Sequence, residues 1–290
     1  MKSAIIILNY NSYDISKKLA LHLYNNTSIE HILIVDNNST NDSVAQLKLI
    51  CNDRIELLVS EVNKGYAAGN NIGCRYAIDH HKADILFIAN PDVIFDQSFV
   101  DATKEELSKK SAIVAVTGLM FYPDGREDRR QYLILPRYWE DIANCFILGR
   151  KFVKCYLDKK IKVDKFKPII KADALPGSLF VIRADVFKEI GFFDENTFLY
   201  YEENILGIKL KQHNYEMGLL TNCKYLHNHA ATIGKYVKVV AKRKIVNQSV
   251  LYYETTYRGT SGFKRLILEI CLKLSIVDAF IVEKIKNIKR

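Results

Sequence analysis

The sequence has no C-x-x-C pair, and its six cysteines, Cys51, Cys74, Cys145, Cys155, Cys223 and Cys271, sit at no metal-ligand spacing. That excludes a zinc ribbon and points to reduced thiols in a cytosolic setting, most of them small core fillers. No charge-free apolar run approaches the ~18 residues that a spanning helix needs, which argues against an integral membrane protein. The apolar stretch after Met1 and Lys2 is only about five residues long and no small-residue cleavage site follows it, so no signal peptide is expected. G-x-x-x-x-G-K-[ST] is missing, and no G-x-G-x-x-G follows the first apolar run, which removes the commonest phosphate-binding loops. There is one tryptophan, Trp139, and no internal repeat or low-complexity tract. What remains is a chain of 290 residues, 49% hydrophobic, long enough to bury the core of one large or two small domains.

Charge is informative by location. Residues 235–290 hold 13 lysines and arginines against 4 acids, an excess equal to the net charge of +9 of the whole chain, so residues 1–234 are neutral. Basic and aromatic residues are not interleaved on a strand platform, which excludes a nucleic-acid partner. In "FKRLILEICLKLSIVDAFIVEKIKNIKR", residues 263–290, an apolar face runs through Phe263, Leu266, Ile267, Ile270, Leu274, Val277, Ile281, Ile285 and Ile288, with lysines mostly off it. Such a basic amphipathic helix fits the inner surface of the cytoplasmic membrane, and equally fits packing against the rest of the chain or a second copy in a homodimer.

The first 120 residues alternate short β-branched runs with longer mixed segments. Residues 4–8, 31–36, 55–59, 84–90 and 113–120 read as buried strands; 13–25, 42–51, 66–79 and 97–109 read as helices. This alternation predicts an α/β fold with a mostly parallel, Rossmann-like sheet flanked by helices, in which ligands gather at the carboxyl ends of the strands. Residues 121–170 read as helices and loops over the sheet edge. Beyond them lie a strand (178–183), two helices (184–190 and 203–213) and a strand (216–220).

Four polar clusters each follow a predicted strand: "NYNS" (9–12), "DNNSTNDS" (36–43), "NKGYAAGNNIG" (63–73) and "NPD" (90–92). Each alone is ordinary turn chemistry, but four on one rim outline a site. Asp36 with Asn37 suits hydrogen bonding to a base or ribose, and Asn9 and Asn11 flank Tyr10 on the neighbouring strand. Gly65, Gly69 and Gly73 allow close backbone approach, and Lys64 with a helix N-terminus suits a diphosphate. Asp92 then has a purpose, because a hard divalent cation bridging two phosphates needs one or two carboxylates plus water and substrate oxygens. Asn-Pro-Asp is also an ordinary capped turn.

In this order, "IIILNYNS", "IVDNNSTNDS", "NKGYAAGNNIG", "NPD", "PGSLFVIRADVFKEIGFFDE", "FLYYEEN" and "HNHAATIG" resemble the inverting family 2 glycosyltransferases of GT-A fold, particularly rhamnosyltransferase-like and capsular or O-antigen polysaccharide enzymes. The resemblance covers roughly residues 3–235. It implies a GT-A catalytic domain over 1–235 and a basic helical extension over 236–290. It further implies nucleotide-sugar contacts from Asn9, Asn11, Asp36, Asn37, Lys64, Asn71, Asn90 and Asp92. Asp92 stands at the last acid of the family's D-x-D, with Asn90 in place of the first; it would hold Mn2+ or Mg2+ on the donor diphosphate, with His227 as a further ligand and His229 its neighbour. "YYEEN" stands where the family has E-D-x-D-L, so Glu203 occupies the place of the base, Glu202 precedes it as the fallback, and Ile205 replaces the second Asp. Gly177 and Ser178 border the acceptor.

The activity so implied is transfer of a sugar from dTDP-rhamnose or a UDP-sugar to a glycan acceptor, lipid-linked on polyprenyl diphosphate, by a peripheral cytoplasmic enzyme. One base and no protein nucleophile imply inversion. The competing reading, motivated by Asn90 and Ile205, is a nucleotide-sugar-binding or scaffolding subunit without catalysis. A nucleotidyltransferase would need a Gly-rich basic loop after the first strand, where "NYNSYD" stands.

Overall fold

The computed structural model describes residues 1–228 and 239–288. In chain order the elements are β1 (Ser3–Asn9), α1 (Tyr13–Asn26), β2 (His31–Asp36), α2 (Ser43–Lys48), β3 (Ile55–Val59), α3 (Tyr66–Asp79), β4 (Ile85–Ala89), β5 (Val93–Ile94), α4 (Gln97–Ser108) and β6 (Ile113–Phe121). They continue with α5 (Tyr138–Asn144), α6 (Ile147–Lys160), β7 (Ile169–Ala172), β8 (Leu179–Arg183), α7 (Ala184–Glu189), α8 (Glu202–Gln212), β9 (Glu216–His227), α9 (Val239–Tyr252), a π-helical turn (Tyr253–Tyr257) and α10 (Gly262–Ile288).

The strands are continuous in apolarity because both faces of the sheet are covered. Along β1, Ile5 and Ile7 join the layer of α1 and α4 through Leu23 and Phe99. Ala4 and Ile6 join the opposite layer, with Cys74 of α3, Phe187 of α7 and Leu206 of α8. The period of two along an extended chain sorts neighbours into different cores.

The sheet order is β3-β2-β1-β4-β8-β6-β9-β5, with β7 on β9. From β3 to β4 the strands are parallel as the alternation predicts. The sheet is mostly parallel, as expected, and becomes mixed beyond β4, where β8 runs antiparallel to both β4 and β6. The connection from β6 to β8 runs through α5, α6 and β7, and one of that length permits either strand direction. The last strand is also longer than expected. After a register shift between Thr117 and Leu119 it pairs again with β6 and reaches His227, where it meets β5. Residues 221–227 alternate buried and open positions, a half-covered strand rather than a continuous apolar one.

The C-terminal helices lie against α5 and α8. Val250, Leu268 and Leu272 pack on Cys145 after α5, and Tyr253 packs on Ile205 and Ile208 of α8. In α10 the buried face is Leu268, Leu272, Ser275 and Ala279, whereas Leu266, Ile270, Leu274, Val277, Phe280 and Ile281 of the other face are exposed. The face expected from the sequence is the open one, so α10 packs on the chain by one side and presents an apolar stripe on the other. Ile285 and Ile288 lie beyond the described side chains, and the boundary expected at residues 235 and 236 falls outside the described residues.

Candidate active site

The four polar clusters meet at the carboxyl ends of β1, β2 and β4. Asn37 N–H donates to Asn9 O at 2.8 Å, and Asn37 Nδ2 donates to Asn63 Oδ1 at 3.0 Å and to Gly65 O at 3.1 Å. Asn9 Nδ2 donates to Asp36 Oδ2 at 2.8 Å, while Ser16 Oγ donates to Asn9 Oδ1 at 2.8 Å. The other Asp36 oxygen accepts Ser39 N–H at 2.9 Å. Asn9 and Asp36 are therefore fully buried braces of the loop. The more open positions are Tyr10, Asn11 and Asn38, the last two in the left-handed region at φ 54° and 60°. Asparagine tolerates that region better than most residues.

Two further groups expected at a ligand turn inward. Asn71 is buried, donates to Phe193 O and Glu195 Oε1, and accepts Phe193 N–H, so it clamps the 193–195 segment to α3. A Cβ on Gly69 would stand 2.5 Å from Leu8 Cδ1, and one on Gly73 2.7 Å from Ile6 Cγ2. These glycines let α3 approach the sheet. Gly65 sits at φ 95° against Phe198 O, so it orders the turn from which exposed Lys64 projects.

Asp92 and His227, far apart in sequence, are brought together by backbone pairing. Val93 registers with His227 across β5 and β9, and Asn228 N–H donates to Asp92 O at 2.9 Å. His227 Nε2 consequently lies 3.3 Å from Asp92 Oδ1, both side chains being nearly closed to solvent. A carboxylate oxygen and an imidazole nitrogen side by side suit a divalent cation that takes its other ligands from substrate oxygens and water. His229 and the rest of "HNHAATIG" lie outside the described residues. Another His/Glu group, His31, Glu56 and His81, starts at the amino ends of β2 and β3 and so belongs to the opposite rim.

Glu202 and Glu203 open α8. Glu202 is 3% exposed, its Oε1 buried without a hydrogen-bond partner, and burial together with the Glu203 charge pushes its carboxyl up to about 8. Glu203 is more open; burial raises it too, while the backbone N–H groups of Glu203 and Gly177 favour its charged form. A Cβ on Gly177 would stand 2.7 Å from Glu203 Oε1, so only glycine leaves the carboxylate its place.

The two acidic centres are joined by a short relay of contacts. Gly177 touches Glu203, and the carbonyl of the next residue, Ser178, accepts Asn90 N–H at 2.8 Å, two residues before Asp92. Tyr66 Oη donates to Gly177 O at 2.7 Å, tying the 63–66 loop to the same strand end. The Ser178 hydroxyl points into the core, 2.9 Å from Tyr225 Oη, so its backbone and not its side chain serves the rim.

Sequence reasoning missed the scaffold behind the glutamates. Tyr200 and Tyr201 both adopt positive φ, 78° and 73°, which costs about 1–2 kcal/mol per residue for a non-glycine. The conformation is held from the extension and α5: Ser249 Oγ donates to Leu199 O, Lys242 lies over the Tyr200 ring at 5.4 Å, and Tyr201 Oη donates to Asp141. Asp141 is buried beside Glu254 and Glu140 and held well above the usual carboxylate range, first by desolvation. The doubled tyrosine was the visible signal, but its partners, Lys242 and Asp141, are 42 and 60 residues away.

The fold is the GT-A fold of glycosyltransferases. The chain superposes on the mannosyltransferase PcManGT of Pyrobaculum calidifontis, solved with GDP-Man and Mn2+, with a TM-score of 0.59 at 14% identity, covering 96% of this chain and 72% of that one. The chain belongs to glycosyl transferase family 2, whose model matches residues 4–191. Among named relatives it is 26% identical over 239 residues to the low-salt glycan biosynthesis hexosyltransferase Agl10 of Haloferax volcanii, covering 78% of this chain and 66% of that protein. It is 24% identical over 214 residues to N-acetylglucosaminyl-diphospho-decaprenol L-rhamnosyltransferase of Mycobacterium tuberculosis, covering 70% and 68%. The chain thus spans about two thirds of the length of these relatives.

Proposed function

We propose that this glycosyltransferase moves a sugar from a nucleoside-diphosphate sugar, dTDP-rhamnose or a UDP-sugar, to a hydroxyl of a polyprenyl-diphosphate-linked glycan, with inversion, in surface polysaccharide synthesis. The observation that supports the reading is the relay from Glu203 through Gly177 and Ser178 to Asn90, which links the Glu203 carboxylate through backbone contacts to the strand end that carries Asp92 and its neighbour His227. Asp92 and His227 would hold Mn2+ or Mg2+, which when bound supplies positive charge to the departing diphosphate. Tyr10, Asn11 and Asn38 form the open edge for the base and ribose, and Lys64 faces the donor from the 63–66 turn. Glu203 takes the proton of the acceptor hydroxyl; the oxygen bonds to the anomeric carbon as the bond from that carbon to the diphosphate breaks, and the electron pair leaves with the nucleoside diphosphate. Without a protein nucleophile the single displacement inverts the centre.

The scaffolding alternative loses one of its motives. Ile205, which replaces an acid of the family motif, is 1% exposed and packs with Tyr253 of the extension, so its position is structural. The test is release of UDP or dTDP by purified protein with donor, Mn2+ and acceptor. Glu203→Gln is expected to lower turnover ~10²–10⁴-fold with donor affinity retained. Undiminished release by that variant removes Glu203 as the base.

The acceptor class draws on the relative named for a diphospho-decaprenol substrate and on α10. Among the described residues no helix is long and apolar enough to cross a membrane. The exposed stripe from Leu266 to Ile281 is flanked by Lys264, Arg265, Lys273 and Lys284, which match an anionic leaflet. Sedimentation with phosphatidylglycerol vesicles is expected for the wild type and to be lost in Leu274→Glu/Ile281→Glu. Binding that survives this change, or a stripe covered instead by a second copy at working concentration, overturns the docking.

A further inference from the structure

Behind the catalytic glutamates lies a cavity of ≈ 350 Å³ between α5, α6, α9 and α10, within the size range of small-molecule sites. Its polar end is made of arginines. Arg150 Nη1 and Arg243 Nη1 each stand 3.3 Å from the same acceptor, the backbone carbonyl of Asn144, so two guanidinium groups are held side by side. Asp278 accepts Arg150 Nη2 at 2.8 Å, and a second acid, Asp141, lines the cavity but is held well above the usual carboxylate range by burial. Among the described residues Arg243 has no acidic partner, and its ordinary pKa is lowered first by burial and then by Arg150. Lys242 also lines the cavity, and Val246, Leu272 and Val282 form its apolar side. Two crowded guanidinium groups beside apolar walls suit an anion with a hydrocarbon attachment.

We propose that this cavity binds the diphosphate of the lipid-linked acceptor, gripped by Arg243 and Arg150, with the first isoprenoid units against Val246, Leu272 and Val282. The inference rests on the transferase reading above and extends it to a second anion site, separate from the donor's. Its geometry fits the reaction. Tyr201 lines the cavity and directly precedes Glu202, and Lys242 lies over Tyr200, so an occupant abuts the segment that carries the base. The exposed stripe of α10 is the opposite face of the helix that supplies Leu272 and Val282, so the cavity lies about one helix diameter from the surface proposed to meet the bilayer.

The experiment is calorimetric titration of the full chain, metal-free with EDTA, using farnesyl diphosphate, inorganic pyrophosphate and farnesol as probes. Farnesyl diphosphate is expected to bind most tightly, pyrophosphate more weakly and farnesol not at all. Arg243→Gln should weaken farnesyl diphosphate by about tenfold or more, as loss of a charge-assisted pair requires, whereas Asp92→Asn should leave it unchanged. Lys242→Gln, an exposed change, should weaken it less and guards against misfolding of the arginine variant. Equal affinity for pyrophosphate and farnesyl diphosphate overturns the lipid assignment. Binding that is indifferent to Arg243 and Lys242, or that vanishes in Asp92→Asn, overturns the cavity. Because these titrations need no turnover, they fail independently of the transferase reading; sugar transfer with unaltered acceptor KM in Arg243→Gln would sink the cavity alone.

Discussion

The two acidic centres of the protein are built on opposite principles. Asp92 is placed by a pair of strands that also delivers the imidazole of His227, so its neighbour is a nitrogen base and not a second acid. Glu202 and Glu203 are adjacent in sequence, buried together at the start of a helix, and their neighbours are each other. A carboxylate beside an imidazole nitrogen is suited to a cation; two carboxylates sharing a poorly hydrated site resist ionising together and are suited to proton traffic. The helix dipole at α8 favours charge on the pair but does not remove that competition.

If this contrast is sound, the two centres respond differently to neutral replacements. Asp92→Asn should reduce metal-dependent binding of the nucleoside diphosphate and lower turnover on the order of 10²–10³-fold, because a cation held by few protein ligands loses its only carboxylate at this pair. Nucleotide titration with and without Mn2+ reads the effect directly. A variant that still responds to Mn2+ like the wild type breaks the comparison. Gly177→Ala is the next test. The added methyl would lie 2.7 Å from Glu203 Oε1, and Gly177 is not at positive φ, so the side chain and not the backbone must move. Displacement of a base by a fraction of an ångström should lower kcat by about 10- to 100-fold, while the Tm stays near that of the wild type. A loss of Tm with unchanged kcat would mean that the carboxylate is not at work.

The contrast also separates what was legible in the sequence from what was not. Continuous β-branched runs located β1 to β4 and hence the rim, since burial on both faces leaves an unmistakable pattern. Asp92, His227 and the glutamates were singled out by their places in the family's motifs, and the fold brings Asp92 and His227 side by side. Asn9, Asn71, Ser178, Gly69 and Gly73 were read as ligand-facing and are inward. A polar or small residue after a strand looks the same whether it meets a ligand or braces its own backbone, and only long-range contacts such as that of Asn71 with Phe193 decide. The antiparallel β8 was hidden for a related reason: strand direction is set by connections, not by composition. The helical cap was least legible, because its defining contacts, Tyr201 with Asp141 and Tyr138 with the carbonyl of Lys264, span 60 and 126 residues.

The smallest expected effect is also the most diagnostic of the pair. Glu202 releases its proton at about 8 in the folded chain, against 4.5 for an ordinary glutamate. Between those values the unfolded chain binds fewer protons than the native one, so this group's contribution to stability falls as pH rises from 4.5 to 8. Glutamine mimics the protonated acid in shape and cannot ionise. Glu202→Gln should therefore match the wild type in Tm near pH 4 and exceed it progressively toward pH 8, by about 2–4 °C for each kcal/mol of relieved desolvation. Turnover at pH 7 should persist, since Glu202 is already largely neutral there. Thermal melts across pH combined with that assay separate the two glutamates: if Glu202→Gln were inactive while Glu203→Gln still turned over, the roles of base and buried partner would be exchanged.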